Sequence, residues 1–166
     1  TPITVTHGTE REAMSFCFVR VETDDGTVGW GEACDSYGCS YASVLATVVT
    51  DVFAPLVVGA TIDLGAPSSI TERLTLATRR RLGTGWAAAQ ARSAIELALW
   101  DLAGKALGLP VYQLLGGKVR DRVRVYCDSQ TEDPDDPEAP AKLQRIRDLG
   151  FTAIKIDIDE AADPLR

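Results

Sequence analysis

The sequence predicts an α+β domain followed by the opening of an α/β unit, and three observations carry that prediction. Residues 13–33 alternate in hydropathy on either side of an Asp-Gly turn. Residues 40–107 hold three successive helical patterns, and after Gly116-Gly117 the pattern changes to strand, helix, strand.

Taken in order, residues 1–12 read as a polar lead-in. In residues 13–23, Met14, Phe16, Phe18 and Arg20 fall on one side and Ser15, Cys17, Val19 and Val21 on the other, the period of two that marks a strand. Asp24-Asp-Gly-Thr27 supplies a tight turn, and Val28-Gly-Trp-Gly-Glu-Ala33 returns as the second strand of a hairpin. Residues 40–58 place apolar side chains at 44, 45, 48, 49, 52, 53 and 56, one face of an amphipathic helix with Ser40 or Ser43 as N-cap. A second helix starts at Pro67, with Ser69 and Glu72 in capping-box spacing, and runs to about Leu82. A third covers about Trp86 to Leu107 and is nearly apolar on most sides, so it is expected to be buried by other elements. Beyond Gly117, residues 122–127 alternate as a strand, residues 138–149 read as a helix closed by Gly150, and residues 151–158 form a second apolar strand. A β-α-β unit of this length implies parallel strands joined by a right-handed crossover.

Composition narrows the function classes. Hydrophobic residues make up 45% and charged residues 25%, a globular balance, and no run approaches the ~18 apolar residues of a membrane span. The N-terminal residues lack the basic and apolar segments of a signal peptide, which favours a cytoplasmic protein. A net charge of −7 argues against nucleic acid and anionic membrane as partners. The dense basic run, Arg79-Arg80-Arg81, reads as a solvated helix end rather than an anion site. Cys17, Cys34, Cys39 and Cys127 have no C-x-x-C spacing and read as free thiols.

Three strings then carry a resemblance: Ala94-Ile-Glu-Leu-Ala-Leu-Trp-Asp-Leu-Ala-Gly-Lys105, Leu109-Pro-Val-Tyr-Gln-Leu-Leu-Gly-Gly117 and Gly150-Phe-Thr-Ala-Ile-Lys-Ile-Asp157, with Gly29-Trp-Gly-Glu32 in support. Together with the element order they resemble the enolase superfamily, in its mandelate racemase and muconate lactonizing enzyme branch. The resemblance implies an α+β capping domain over residues 1–117 (antiparallel hairpin plus helices), then the first β-α-β of a modified TIM (β/α) barrel over residues 118–166. It also implies truncation, because a full member is more than twice this length and the family's first strand is expected before Thr1.

In TIM barrels the chemistry sits at the C-terminal ends of the strands. Two such ends occur here, Asp128-Ser129-Gln130 and Lys155-Ile156-Asp157. The family pattern at the second end is Lys-x-Lys, one lysine holding the substrate carboxylate and the other taking the α-proton. Lys155 matches the first, and Asp157 replaces the second. Side chains two apart on a strand face the same way, so both are catalytic candidates. Pairing with the neighbouring ammonium makes Asp157 a weak base but a good hydrogen-bond acceptor for a polyhydroxylated substrate, which shifts proton abstraction to a histidine on a later strand. A solvated strand-end lysine and a capping aspartate remain the structural alternatives. Ser129, at the other strand end, is a substrate-binding candidate. The resemblance also implies two capping loops over the barrel mouth, residues 4–9 and 34–39, which adds His7, Tyr37 and Cys39 as substrate-binding candidates. Surface, capping or loop-packing roles stay open for all three. Glu32 and Asp101 read as structural.

The implied cofactor is Mg2+, held by carboxylates on barrel strands three to five, so no metal ligand is expected within residues 1–166 and the fragment alone is expected to be inactive. The implied activity is removal of the proton α to a carboxylate, giving an enediolate, followed by loss of a β-hydroxyl: a sugar-acid dehydratase. A racemase or cycloisomerase of the same branch is the alternative, as is a non-catalytic binding module if the chain ends at Arg166. Expected partners are a small-molecule carboxylate and further copies of the same chain in a homo-oligomer.

Overall fold

The computed structural model describes residues 3–4, 13–14, 16–34, 41–128 and 136–156. The chain divides into two compact units, Thr1–Lys118 and Val119–Arg166.

The first unit opens with β1 (Ile3–Thr4), paired antiparallel with β2 (Ala13–Met14). Part of the expected polar lead-in is thus strand: a two-residue ladder is too short to show a hydropathy period. The hairpin follows as β3 (Phe16–Glu22) and β4 (Val28–Cys34), in continuous antiparallel register from Phe16↔Cys34 to Glu22↔Val28. Its turn is closed by Gly26 N–H donating to the Thr23 carbonyl at 2.9 Å, with the Asp25 carboxylate accepting from Thr27 N–H at 3.0 Å. Cys17, Val19 and Ala33 are buried on one face, where burial pushes the Cys17 thiol up from its ordinary value. Phe18 and Trp30 lie exposed on the other face.

The predicted helix over 40–58 is present with a break in its pitch. It runs as α1 (Ala42–Thr47), a π-helical segment Val48–Phe53, and α2 (Ala54–Val57). Pro55 is the cause. It has no N–H, and its ring would collide with the carbonyl four residues earlier in a regular helix. The wider turn relieves that clash, and Ala54 N–H reaches back five residues to the Val49 carbonyl. The extra residue rotates the face: Leu45, Val48 and Phe53 are buried, while Val44 and Leu56, expected on the apolar face, are exposed.

Helix α3 (Ser68–Thr78) starts without the expected capping box and ends before Leu82. Ser69 already lies inside the helix, its N–H donating to the Ala66 carbonyl at 3.0 Å. Ser68 takes a different partner: its hydroxyl donates to Glu96 Oε1 at 2.5 Å, and Thr71 Oγ1 donates to Glu96 Oε2 at 3.2 Å. These bonds tie α3 to α4 (Trp86–Leu107), whose bounds match the sequence expectation. Arg79, Arg80 and Arg81 are exposed beyond the end of α3, as a solvated helix end requires.

Helix α4 is the centre of the unit. Ala91, Ala94, Ala98 and Leu99 are fully buried in a core shared with Val19, Leu45, Phe53 and Leu74. Its small residues let α4 lie directly on β4, and the strand answers with glycine. A Cβ on Gly31 would stand 1.9 Å from the Ala94 carbonyl oxygen, and one on Gly29 would stand 2.0 Å from that of Ala98. Glycine in a strand interior often marks such a close backbone approach. Helix α4 ends in a Schellman motif: Gly108 adopts φ +66°, Leu109 N–H donates to the Gly104 carbonyl at 2.9 Å, and Pro110 prevents continuation. Helix α5 (Val111–Leu114) is the short turn that follows.

Two side chains one turn apart on α4 cover the free edge of β4. Asp101 Oδ2 accepts from Trp30 N–H at 2.8 Å and from Lys105 Nζ at 2.7 Å, while Lys105 Nζ also donates to the Val28 carbonyl at 3.0 Å. Asp101 is therefore a structural latch, satisfying backbone groups that a sheet edge leaves open. Its acid range reflects opposed causes: desolvation pushes the carboxyl up, and the bonds from Lys105 and Trp30 N–H outweigh it, leaving it below the usual aspartate value. Asp101→Asn is expected to lower stability by about 1 kcal/mol at neutral pH. Because the folded-state value is depressed, that contribution is complete above the unfolded value of roughly 4 and is lost as pH falls through the folded one. Urea midpoints of wild type and variant should separate at neutral pH and converge in acid, and an equal gap at both would be contrary.

The second unit is a minimal β-α-β. Strand β5 (Cys127–Asp128) pairs parallel with β6 (Ile154–Lys155), and α6 (Ala139–Asp148) lies between them in sequence. The parallel pairing agrees with the expectation, but the ladder is shorter: residues 122–126 take part in no ladder among the described residues. Asp136 prepares the start of α6, accepting from Glu138 N–H and from Lys142 Nζ, each at 2.8 Å.

Candidate functional site

The ladder of the second unit decides which strand-end residues meet. Its register pairs Cys127 with Ile154 and Asp128 with Lys155, anchored by Cys127 N–H donating to the Ala153 carbonyl at 3.1 Å. Parallel pairing brings the two C-terminal ends side by side, so Asp128 and Lys155 are the last laddered residues of their strands. Lys155 Nζ lies 3.4 Å from both Oδ1 and Oδ2 of Asp128, shared between the two oxygens rather than committed to one. The Lys155 side chain is 42% exposed and that of Asp128 68% exposed, so the pair is wetted and contributes only about 0–1 kcal/mol to stability. Chemically it offers an ammonium with several donors beside one carboxylate acceptor, on the end of a strand pair.

Of the residues expected from sequence, Lys155 is placed at this strand end. Asp157, Ser129, His7, Tyr37 and Cys39 lie outside the described residues. Asp128 was not among the candidates, although it belongs to the strand end that drew attention to Ser129. What would have found it is the register, because only the alignment of two strands distant in sequence reveals which residue faces Lys155. Cys17 and Cys127 are free thiols, as expected; the Cys34 side chain and Cys39 lie outside the described residues.

Among the described residues no three His, Cys, Asp or Glu side chains converge as a metal ion requires. The pair Asp128 and Lys155 does not fit a divalent cation either, since it offers one carboxylate with an ammonium against it. No chemical step in this chain is therefore derived through a metal. No helix among the described residues is long and apolar enough to cross a membrane.

Residues 1–116 match the family model for the mandelate racemase / muconate lactonizing enzyme N-terminal domain. The chain belongs to this family. Its hairpin and helices are the capping fold of that branch of the enolase superfamily. Among its relatives, D-xylonate dehydratase of Haloferax volcanii is 40% identical over 146 residues, covering 85% of this chain and 32% of the relative. D-galactonate dehydratase of Verminephrobacter eiseniae is 36% identical over 150 residues, covering 90% of this chain and 36% of the relative. Among solved structures, a mandelate racemase/muconate lactonizing protein from Paracoccus denitrificans PD1222, complexed with magnesium, superposes with a TM-score of 0.68 at 33% identity, covering 84% of this chain and 36% of that one. This family member thus spans about a third of the length of the relatives it matches.

Proposed function

We propose that this chain serves an enzyme that dehydrates a sugar acid: a base removes the proton α to the carboxylate, the β-hydroxyl leaves as water, and the resulting enol tautomerises to a 2-keto-3-deoxy acid. The observation that carries the reading is the identity of 40% to a D-xylonate dehydratase and 36% to a D-galactonate dehydratase over nearly the whole chain. In this reading residues 1–117 are the specificity cap and residues 118–166 the first β-α-β of a TIM barrel, as the parallel ladder of β5 and β6 supports. Lys155 holds the substrate carboxylate at the end of the second barrel strand. Asp157 accepts a substrate hydroxyl, and Ser129, His7, Tyr37 and Cys39 contact the substrate from the first strand end and the capping loops.

An ammonium engaged with a carboxylate is a donor rather than a base, which supports the carboxylate-holding role for Lys155 and leaves α-proton abstraction to a group outside this chain. Mg2+ is the proposed cofactor; the magnesium complex of the Paracoccus denitrificans protein supports that choice. A panel of aldonic and aldaric acids, offered to full-length protein with Mg2+, is expected to yield 2-keto-3-deoxy acids from one or a few members. Racemised or cyclised products without dehydration would favour the isomerase alternative, and no product of any kind would count against the enzyme reading.

A further inference from the structure

We infer that Asp128 is the positioning residue for Lys155, holding its ammonium at the strand end so that its remaining N–H donors face the substrate carboxylate. The inference rests on the proposed role of Lys155. A lysine carries its charge on a flexible four-carbon stem, so an unanchored strand-end lysine spreads its ammonium over a wide volume. Here the side chain is 42% exposed, and packing alone does not hold it. The ladder register supplies a restraint from the neighbouring strand: the Asp128 carboxylate lies 3.4 Å from Nζ through both of its oxygens. An ammonium has three donors and a carboxylate can occupy only part of them, which leaves donors for a second carboxylate.

Asp128 acts by fixing where the cation stands and touches no reacting atom. Its loss should therefore weaken substrate and transition-state binding together, raising KM more than it lowers kcat. A purely structural aspartate would move neither.

The test uses full-length protein with D-xylonate and D-galactonate as substrate probes. Asp128→Asn is expected to raise KM about tenfold with kcat within about threefold, and Asp128→Glu to recover at least half of the loss. A second measurement needs no turnover: acetylation of Lys155 by acetic anhydride, read by mass spectrometry in protein without substrate or metal. Asp128→Asn should speed that labelling at least threefold, and Asp128→Glu should restore the slow rate. Wild-type KM and wild-type labelling in Asp128→Asn would overturn the inference while the dehydratase reading stood. If wild-type protein acts on neither acid, the failure is of the dehydratase reading with these substrates, and the labelling rates alone decide whether Asp128 holds Lys155.

Discussion

Gly31→Ala is expected to destabilise the first unit by about 3 kcal/mol or more, the upper end of what overpacking costs in a protein interior. The added methyl would stand 1.9 Å from the Ala94 carbonyl oxygen and 2.7 Å from Ala98 N, both backbone atoms of α4. A side chain in the way could rotate, but a helix backbone must translate. Moving α4 off β4 would also pull Asp101 from Trp30 N–H and Lys105 from the Val28 carbonyl, leaving the strand edge open. It would open the contact between Ala91, Ala94 and Ala98 and the hairpin as well. Gly85→Ala is the control: a Cβ there meets nothing within 4 Å, φ is −82°, and the loss should stay below about 1 kcal/mol. Urea denaturation of both variants makes the comparison, and equal midpoints would mean that α4 does not rest on the glycine pair.

What the sequence revealed of this fold follows the range of the interactions involved. The end of α4 was legible because Gly108, Leu109 and Pro110 are adjacent in sequence, and the Schellman bonds form among the same few residues. The hairpin was legible for the same reason, its turn being written in Asp25-Gly26. The π-helical segment was not, since the apolar spacing over 44–56 fits a regular helix and Pro55 is a single residue inside it. Nor was the capping box a safe reading: Ser68 finds Glu96 from another helix, a bond that no local pattern announces. Gly29-Trp-Gly31 showed itself as a motif while its purpose, the approach of α4, depended on a helix some seventy residues away. In the site, Lys155 followed from the two-residue period of one strand, whereas Asp128 needed the alignment of two.

Lys155→Ala is expected to lower kcat/KM by roughly 10²–10³-fold, the loss seen when one well-aimed donor to a developing or full negative charge is removed. Proton removal next to a carboxylate places further negative charge on that group as the enediolate forms, so a cation held against it gains strength along the reaction. Alanine removes the charge and also frees the Asp128 carboxylate, which then faces the substrate carboxylate as a like charge. The double variant Lys155→Ala with Asp128→Asn should therefore recover part of the loss, roughly threefold to tenfold, whereas two independent residues would give additive losses. Mg2+ affinity, read by calorimetric titration without substrate, should barely change, since the Asp128–Lys155 pair offers a cation no coordination cage. Near-wild-type turnover in Lys155→Ala would remove this lysine from the site, and with it the reason Asp128 stands beside it.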